Sequence, residues 1–247
     1  MTALLGAATF ALSGLLFIIF WATANPHTAF YGAAAAPYPI WNASQVQVIH
    51  CIAAIAGLLG AAGVHGLHAP KTGAWGLIGT ACALVGQACF FADGVIAYDV
   101  FPPIARALPA TVDLDGFMFT GPKDSAYTAF AILFMIGYIV LGLSLLYFRA
   151  LPAAPAPFLA EASAGALIVG GILVNLPPTA GFGCLCAGGI IWGAGASVLG
   201  ALWAHAAVVA AGANPAKQEA DGDAVAEQGR ERSPSPMTWA SARLTLD

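Results

Sequence analysis

The stretch "QVQVIHCIAAIAGLLGAAGVHGLH", residues 45–68, decides the fold. It contains no Asp, Glu, Lys or Arg, and an α-helix needs about 20 apolar residues to cross about 30 Å of hydrocarbon. A second apolar run, 74–98, follows a short polar interruption that contains Lys71. The two runs therefore predict two antiparallel membrane-spanning helices joined by a tight turn.

Four further segments have the same character, so six spans are predicted in all. Lipid cannot satisfy exposed backbone groups, which favours helices, and the segments lack the alternation of a membrane barrel. We predict an all-α, polytopic transmembrane helical bundle over residues 1–212. The predicted spans are 3–23, 45–68, 74–98, 126–148, 158–177 and 184–209.

The composition agrees with a lipid-covered protein. Hydrophobic residues make up 60% of the 247 residues and charged residues only 8%, against about 25% charged in soluble domains. Of the 20 charged residues, 10 lie in 213–247. This polar segment is predicted to be a disordered cytoplasmic tail. No basic face typical of nucleic-acid binding occurs.

Charge also predicts the orientation. Lys and Arg favour the cytoplasmic side, and Lys71, Arg149 and Lys217 share one side if both termini are cytoplasmic. The outer loops are then 24–44, which carries no charge, and 99–125, which is mainly acidic. We predict a multi-pass protein of the plasma membrane, and specifically of a bacterial inner membrane. Cleavage after the first span would leave five spans in the same orientation.

Polar residues inside the spans are the candidate site. An ionisable side chain in a span is expensive and usually faces the bundle interior. His50 and Asp93 lie at equal depth, about 7 Å from the outer ends of adjacent spans. With Gln87 and Asn175 they form a predicted outward-facing polar cavity. The alternative is an interhelical hydrogen bond or a carboxylate at the membrane interface.

A second polar layer is predicted near the inner surface. His65 and His68 lie one helical turn apart, and Glu161 and His205 reach a similar depth. Imidazoles and a carboxylate are transition-metal ligands, and a histidine pair could ligate haem. The alternative is that the histidines are only amphipathic residues at the interface. The sequence does not determine whether any metal or other cofactor binds.

The glycines and cysteines are interpreted as structural residues. Glycines at helical spacing, as in 57–63, 76–86 and 189–200, predict close helix packing within the chain. The five cysteines lack zinc-type spacing and are predicted to be free thiols, with a Cys51–Cys184 disulfide as the alternative. No P-loop, GxSxG, HExxH or dinucleotide fingerprint occurs in its required context.

The segments "WNASQVQVIHCIAAIAGLLGAAGVHGLH" (41–68) and "GLIGTACALVGQACFF" (76–91) resemble a broad set of uncharacterised bacterial six-helix integral membrane proteins. The resemblance is one of topology and implies no functional residue. Three function classes follow from the sequence. They are a non-enzymatic transporter-like or accessory component that binds a small or apolar ligand, a haem- or quinone-linked redox protein, and a scaffold subunit of a membrane complex.

Overall fold

The computed structural model describes residues 2–23, 43–100, 122–152, 157–176 and 182–212, with Pro103, Ala107 and Leu108. These residues form five helices and no strand. The helices are α1 (Thr2–Thr23), α2 (Ala43–Asp99), α3 (Pro122–Tyr147), α4 (Pro157–Leu173) and α5 (Phe182–Gly212). The predicted all-α class is confirmed for this part of the chain. The predicted tail, 213–247, lies outside the described residues, as does most of both outer loops.

Four helices are long and apolar enough to cross a membrane. The qualifying segments are Ala3–Thr23, Gln47–Ile96, Thr128–Tyr147 and Gly183–Gly212. Helix α4, with 17 residues, is shorter. Within the predicted span 158–177, helix α4 ends at Leu173. Pro177 and Pro178 follow shortly after and lack the N–H groups that would continue the helix.

Helix α2 is a hairpin of two arms, 43–72 and 74–99. Gly73 breaks the helical path with φ 54° and ψ −136°, a conformation essentially restricted to glycine. The arms then run antiparallel, as shown by the hydrogen bond between the His65 and Thr80 side chains (3.2 Å). The first arm continues beyond His68, the predicted end of the second span, and passes through Pro70 to the turn.

Each of the six segments packs against its neighbour in sequence. Arm 74–99 meets α3 where Gly79 faces Leu141 and Gly86 faces Phe134, and α3 meets α4 where Gly142 faces Ala164. Further along, Gly188 of α5 contacts Val174 beside α4. Every pairing is antiparallel, because the contact positions advance in one segment as they retreat in the other.

Helices α1 and α5 close the ring. Gly14 of α1 faces Gly193 of α5, and Ser197 donates a hydrogen bond to the carbonyl of Ala11 (3.4 Å). On its other side α1 meets α2, where Ser13 donates to the carbonyl of Ala53 (2.8 Å). The glycines therefore pack segments of one chain together, as their spacing predicts.

Aromatic side chains fill the middle of this ring. Trp192 of α5 is fully buried and contacts aromatic rings from α1 and α3. We call this set the aromatic core; its members are Phe10, Phe17, Phe90, Phe134, Tyr138 and Trp192. The chain divides into two compact units, Met1–Ala207 and Val208–Asp247. The ring belongs to the first, and the second is described only over 208–212, the end of α5.

Candidate functional site

His50 lies at the upper edge of the aromatic core, in the first arm of α2. Its side chain is 4% exposed. The imidazole stacks on Phe20 with ring centroids 4.5 Å apart, and the edges of Phe17 and Phe90 close its other sides at 6.0 and 5.7 Å. The ring is thus held by hydrophobic packing in a single orientation.

One nitrogen of His50 has a hydrogen-bond partner and the other has none in the described part of the chain. Nδ1 donates to Oε1 of Gln47, one turn earlier, over a long 3.4 Å. Nε2 is buried without a partner. With the proton on Nδ1, Nε2 presents a lone pair to the interior. A buried polar atom left unpaired costs about 1–3 kcal/mol.

Asp93 lies on the opposite arm at the same level. Its charge acts on both His50 and Cys51, and its side chain is half-buried. The next residue, Gly94, faces Cys51 so closely that a Cβ there would lie 2.8 Å from the sulfur and 3.4 Å from Nδ1 of His50. The hairpin therefore brings Asp93 and His50 together. We call this end of the bundle the Asp93 end.

Gln87 lies about two turns deeper, inside the aromatic core. It is fully buried, and Nε2 donates to the hydroxyl of Tyr138 on α3 over 3.1 Å. Its amide also packs on Gly57 of the facing arm. Oε1 has no partner among the described residues. The same holds for the indole nitrogen of Trp192, whose ring meets that of Tyr138 edge to face.

Asn175 is at the Asp93 end but does not reach His50. It follows the last residue of α4, and Nδ2 donates back to the carbonyl of Gly171 over 2.7 Å. No hydrogen bond between Asn175 and the other three predicted cavity residues occurs in the described part of the chain. Of the predicted cavity set, His50 and Asp93 lie at one level on facing arms, Gln87 is deeper and Asn175 is apart.

The inner layer contains a different histidine cluster. The His65 and His68 rings meet edge to face with centroids 5.1 Å apart. The Thr72 hydroxyl donates to the carbonyl of His68 (3.0 Å), so its oxygen accepts from Nδ1 of His68 (3.1 Å). Nε2 of His68 is buried without a partner among the described residues.

The burial of His68 differs from the expectation of a histidine at the interface. The side chain is fully buried and lies over Trp203 of α5, with centroids 6.2 Å apart. The reason is that the first arm of α2 extends to Thr72, so His68 lies one turn inside the helix rather than at its end. His65 is half-buried and His205 is exposed.

Glu161 also stays apart from the two histidines. It is exposed on α4 and lines a groove with Arg149 instead. Among the described residues, no group of three or more His, Cys, Asp and Glu side chains is placed to hold a metal ion. All five cysteines are free, including Cys51 and Cys184.

Gln47, Tyr138 and Thr72 belong to these clusters but were not singled out from the sequence. Gln47 and Thr72 carry a usable signal, since they lie three and four residues from His50 and His68 and share their helix faces. The sequence signal for Tyr138 is weaker: a tyrosine in the middle of a span needs a partner for its hydroxyl.

Comparisons with protein-family models, curated proteins and solved structures find no match for this chain. The molecule is thus defined by its own features: an all-α ring of apolar helices with buried imidazole and amide groups. The resemblance of 41–68 and 76–91 to bacterial six-helix proteins stays a prediction.

Proposed function

We propose that the chain crosses the bacterial plasma membrane six times with both termini in the cytoplasm. The Gln47–Ile96 segment has 50 residues, which would extend about 75 Å as one straight helix. That is more than twice the hydrocarbon thickness of about 30 Å. The antiparallel hairpin at Gly73 supports two crossings, and the antiparallel neighbours of α4 support its use as a crossing despite its length.

We further propose that the protein is a non-enzymatic, transporter-like or accessory component that binds a small or apolar solute at the Asp93 end. The strongest support is the buried Nε2 of His50, which lacks a partner in the described part of the chain. In an apolar interior such a group is stabilised by a ligand or water that donates a hydrogen. The rings of Phe17, Phe20 and Phe90 favour an apolar body on that ligand.

The native Cys51 thiol provides a direct test of access to this site. Cys51 neighbours His50 in sequence and lies against Gly94. In a variant that keeps Cys51 and replaces the other four cysteines by Ser, a membrane-impermeant maleimide added outside intact cells is expected to label the protein. The matched control keeps only Cys82, which is about 16 Å deeper than Asp93 along the same arm and is expected to stay unlabelled.

Equal failure of Cys51 and Cys82 to react would contradict an outward-facing cavity. It would favour the scaffold function, in which the polar groups only hold helices together. A second comparison uses His50→Phe, which keeps a ring on Phe20 but removes both nitrogens. If a solute binds there, it is expected to slow Cys51 labelling in the parent protein and not in the His50→Phe variant.

A redox function is the second candidate, and the tautomers of the histidines favour it. His50 and His68 both have Nδ1 in a hydrogen bond and a buried, unpartnered Nε2, which is the arrangement of ligating histidines. They are 18 residues apart, so they share one helix face about 27 Å apart. A haem-linked protein is expected to purify with a Soret band that His50→Gln or His68→Gln removes. A colourless wild-type protein would eliminate haem.

A further inference from the structure

The turn after α3 holds Arg149 in a conformation that favours glycine. Helix α3 ends with two backbone hydrogen bonds, from Ala150 N–H to the Leu145 carbonyl (2.9 Å) and from Arg149 N–H to the Leu146 carbonyl (3.3 Å). This pair of bonds is the Schellman motif, whose C′ residue is usually glycine. Arg149 occupies that position with φ 49°, the one positive φ at a non-glycine residue in the described chain.

A non-glycine residue in a sparsely populated conformation motivates the hypothesis that its side chain has a role. The side chain of Arg149 is exposed and borders a groove of about 500 Å³ between the end of α3 and the start of α4. Pro152 and Pro157 form part of the groove wall. Because proline fixes its own φ angle, this wall is stiff before any ligand arrives.

The groove contains one positive and one negative group. Arg149 lies on the α3 side, and Glu161 projects from the second turn of α4. Glu161 is also exposed. A guanidinium presents a fork of N–H donors that matches a phosphate, while a carboxylate accepts hydrogen bonds from an ammonium group. The pair therefore complements a zwitterion that carries both a phosphate and a primary amine.

The groove lies at the level of an aromatic belt. Trp75, just after the Gly73 turn, and Tyr147 at the end of α3 are 60% and 82% exposed. Such residues occupy the headgroup region of membranes. The same two residues line a second groove of about 490 Å³, which is apolar and extends along α3 past Leu143 and Val140.

We propose that the groove of Arg149 and Glu161 binds the headgroup of phosphatidylethanolamine. Arg149 donates hydrogen bonds to the phosphate and Glu161 accepts them from the ammonium, while the acyl chains extend into the surrounding lipid. Phosphatidylcholine retains the phosphate but has no N–H to donate. Phosphatidylglycerol has no cation and brings its negative charge close to Glu161.

Native mass spectrometry of the full-length, delipidated protein in detergent tests this assignment. Palmitoyl-oleoyl phosphatidylethanolamine is titrated against the choline and glycerol lipids with the same chains. The wild type is expected to bind the ethanolamine lipid about tenfold more tightly than the other two. Glu161→Gln is expected to abolish that preference while retaining phospholipid binding.

Arg149→Gly is the second test variant. Glycine suits the turn, so this variant is expected to fold. It is expected to weaken binding of both the ethanolamine and choline lipids about tenfold. Lys71→Gly is the matched control: it removes an exposed positive charge from the turn of α2 and is expected to bind lipid like the wild type. Soluble glycerophosphoethanolamine, which lacks acyl chains, is expected not to displace the lipid at equal concentration.

Three results would overturn the proposal. They are equal binding of the three lipids by the wild type, unchanged binding by Arg149→Gly, and displacement by glycerophosphoethanolamine, which would assign the groove to a soluble phosphoamine instead. Equal loss of binding in Arg149→Gly and Lys71→Gly would also overturn it, because net charge rather than the groove would then govern binding.

Discussion

At the scale of single residues, the hydrogen bond from Gln87 to Tyr138 is the buried polar contact with the clearest energetic consequence. Both side chains are fully buried in the aromatic core. Removal of one partner leaves the other unsatisfied, which costs about 1–3 kcal/mol. Replacement of both partners by apolar groups of similar shape removes that penalty.

Tyr138→Phe is therefore expected to lower the free energy of unfolding by about 1–3 kcal/mol, since it leaves Nε2 of Gln87 without its acceptor. Adding Gln87→Leu to this variant is expected to recover the loss, because it removes that stranded group together with the unpartnered Oε1. Unfolding of both single variants and the double variant, measured in one detergent, completes a double-mutant cycle. Additive losses in the double variant would show that the two side chains are not coupled.

The neighbours of His50 show which contacts a sequence can predict. His50 and Asp93 come together because a short turn joins their spans and sets the register of the hairpin. Gln87 and Tyr138 come from segments joined by the long stretch 99–125, so no register follows from the sequence. Only the structure shows that these two side chains are in contact.

At the scale of helices, glycines control how closely the segments approach. A Cβ on Gly60 of α2 would lie 2.5 Å from the backbone of Phe10 on α1, whereas Gly66, further along the same arm, has nothing within 4 Å. The two positions share a helix and differ in their neighbours. Substitutions at these two positions therefore separate the effect of close packing from that of intrinsic helix propensity.

Gly60→Ala is expected to destabilise the protein by about 1–3 kcal/mol, because α1 must move away. Gly66→Ala is expected to be neutral or to stabilise it by up to about 1 kcal/mol, since alanine favours the helix. Thermal unfolding of both variants in the same detergent measures the difference. Equal effects at the two positions would contradict the close contact between α1 and α2.

The ends of helices were less predictable than their existence. Each of the six apolar runs contains a helix, as lipid-compatible composition and length predict. The first arm of α2 passes Pro70 and stops only at Gly73, since proline stops a helix less sharply than a positive-φ glycine does here. That difference moves His68 from the interface into a buried contact with Trp203.

At the scale of the whole molecule, the contact between α1 and α5 completes the ring. Neighbours in sequence are expected to pack antiparallel when their connections are short. This accounts for the pairing of the two arms of α2, of α3 with α4 and of α4 with α5, whereas two further pairings, α1 with α2 and α2 with α3, follow long connections. The sixth joins residues far apart in sequence, such as Ala11 and Ser197. The sequence signal for this contact is the presence of small residues in both helices. That signal is too common to identify which helix is the partner.

The contacts within the ring also predict the membrane topology. The Gly73 turn and Tyr147 line one groove, and Gly6 touches Gly63 near the same end. The start of α1, the turn of α2 and the loop with Arg149 therefore share one side of the membrane if the bundle is embedded. Lys71 and Arg149 then share that side, which the positive-inside rule predicts to be the cytoplasmic one.

Reporter fusions test this arrangement at defined positions. Alkaline phosphatase, active only outside the cytoplasm, is expected to be inactive when fused after residue 72, 151 or 212 and active when fused after residue 100. Green fluorescent protein fused at the same positions is expected to show the reverse pattern. The fully reversed pattern would mean the opposite orientation. The same phosphatase activity after residues 72 and 100 would mean that α2 does not cross the membrane twice. The antiparallel hairpin, and with it the shared depth of His50 and Asp93, would then not describe the membrane-bound state.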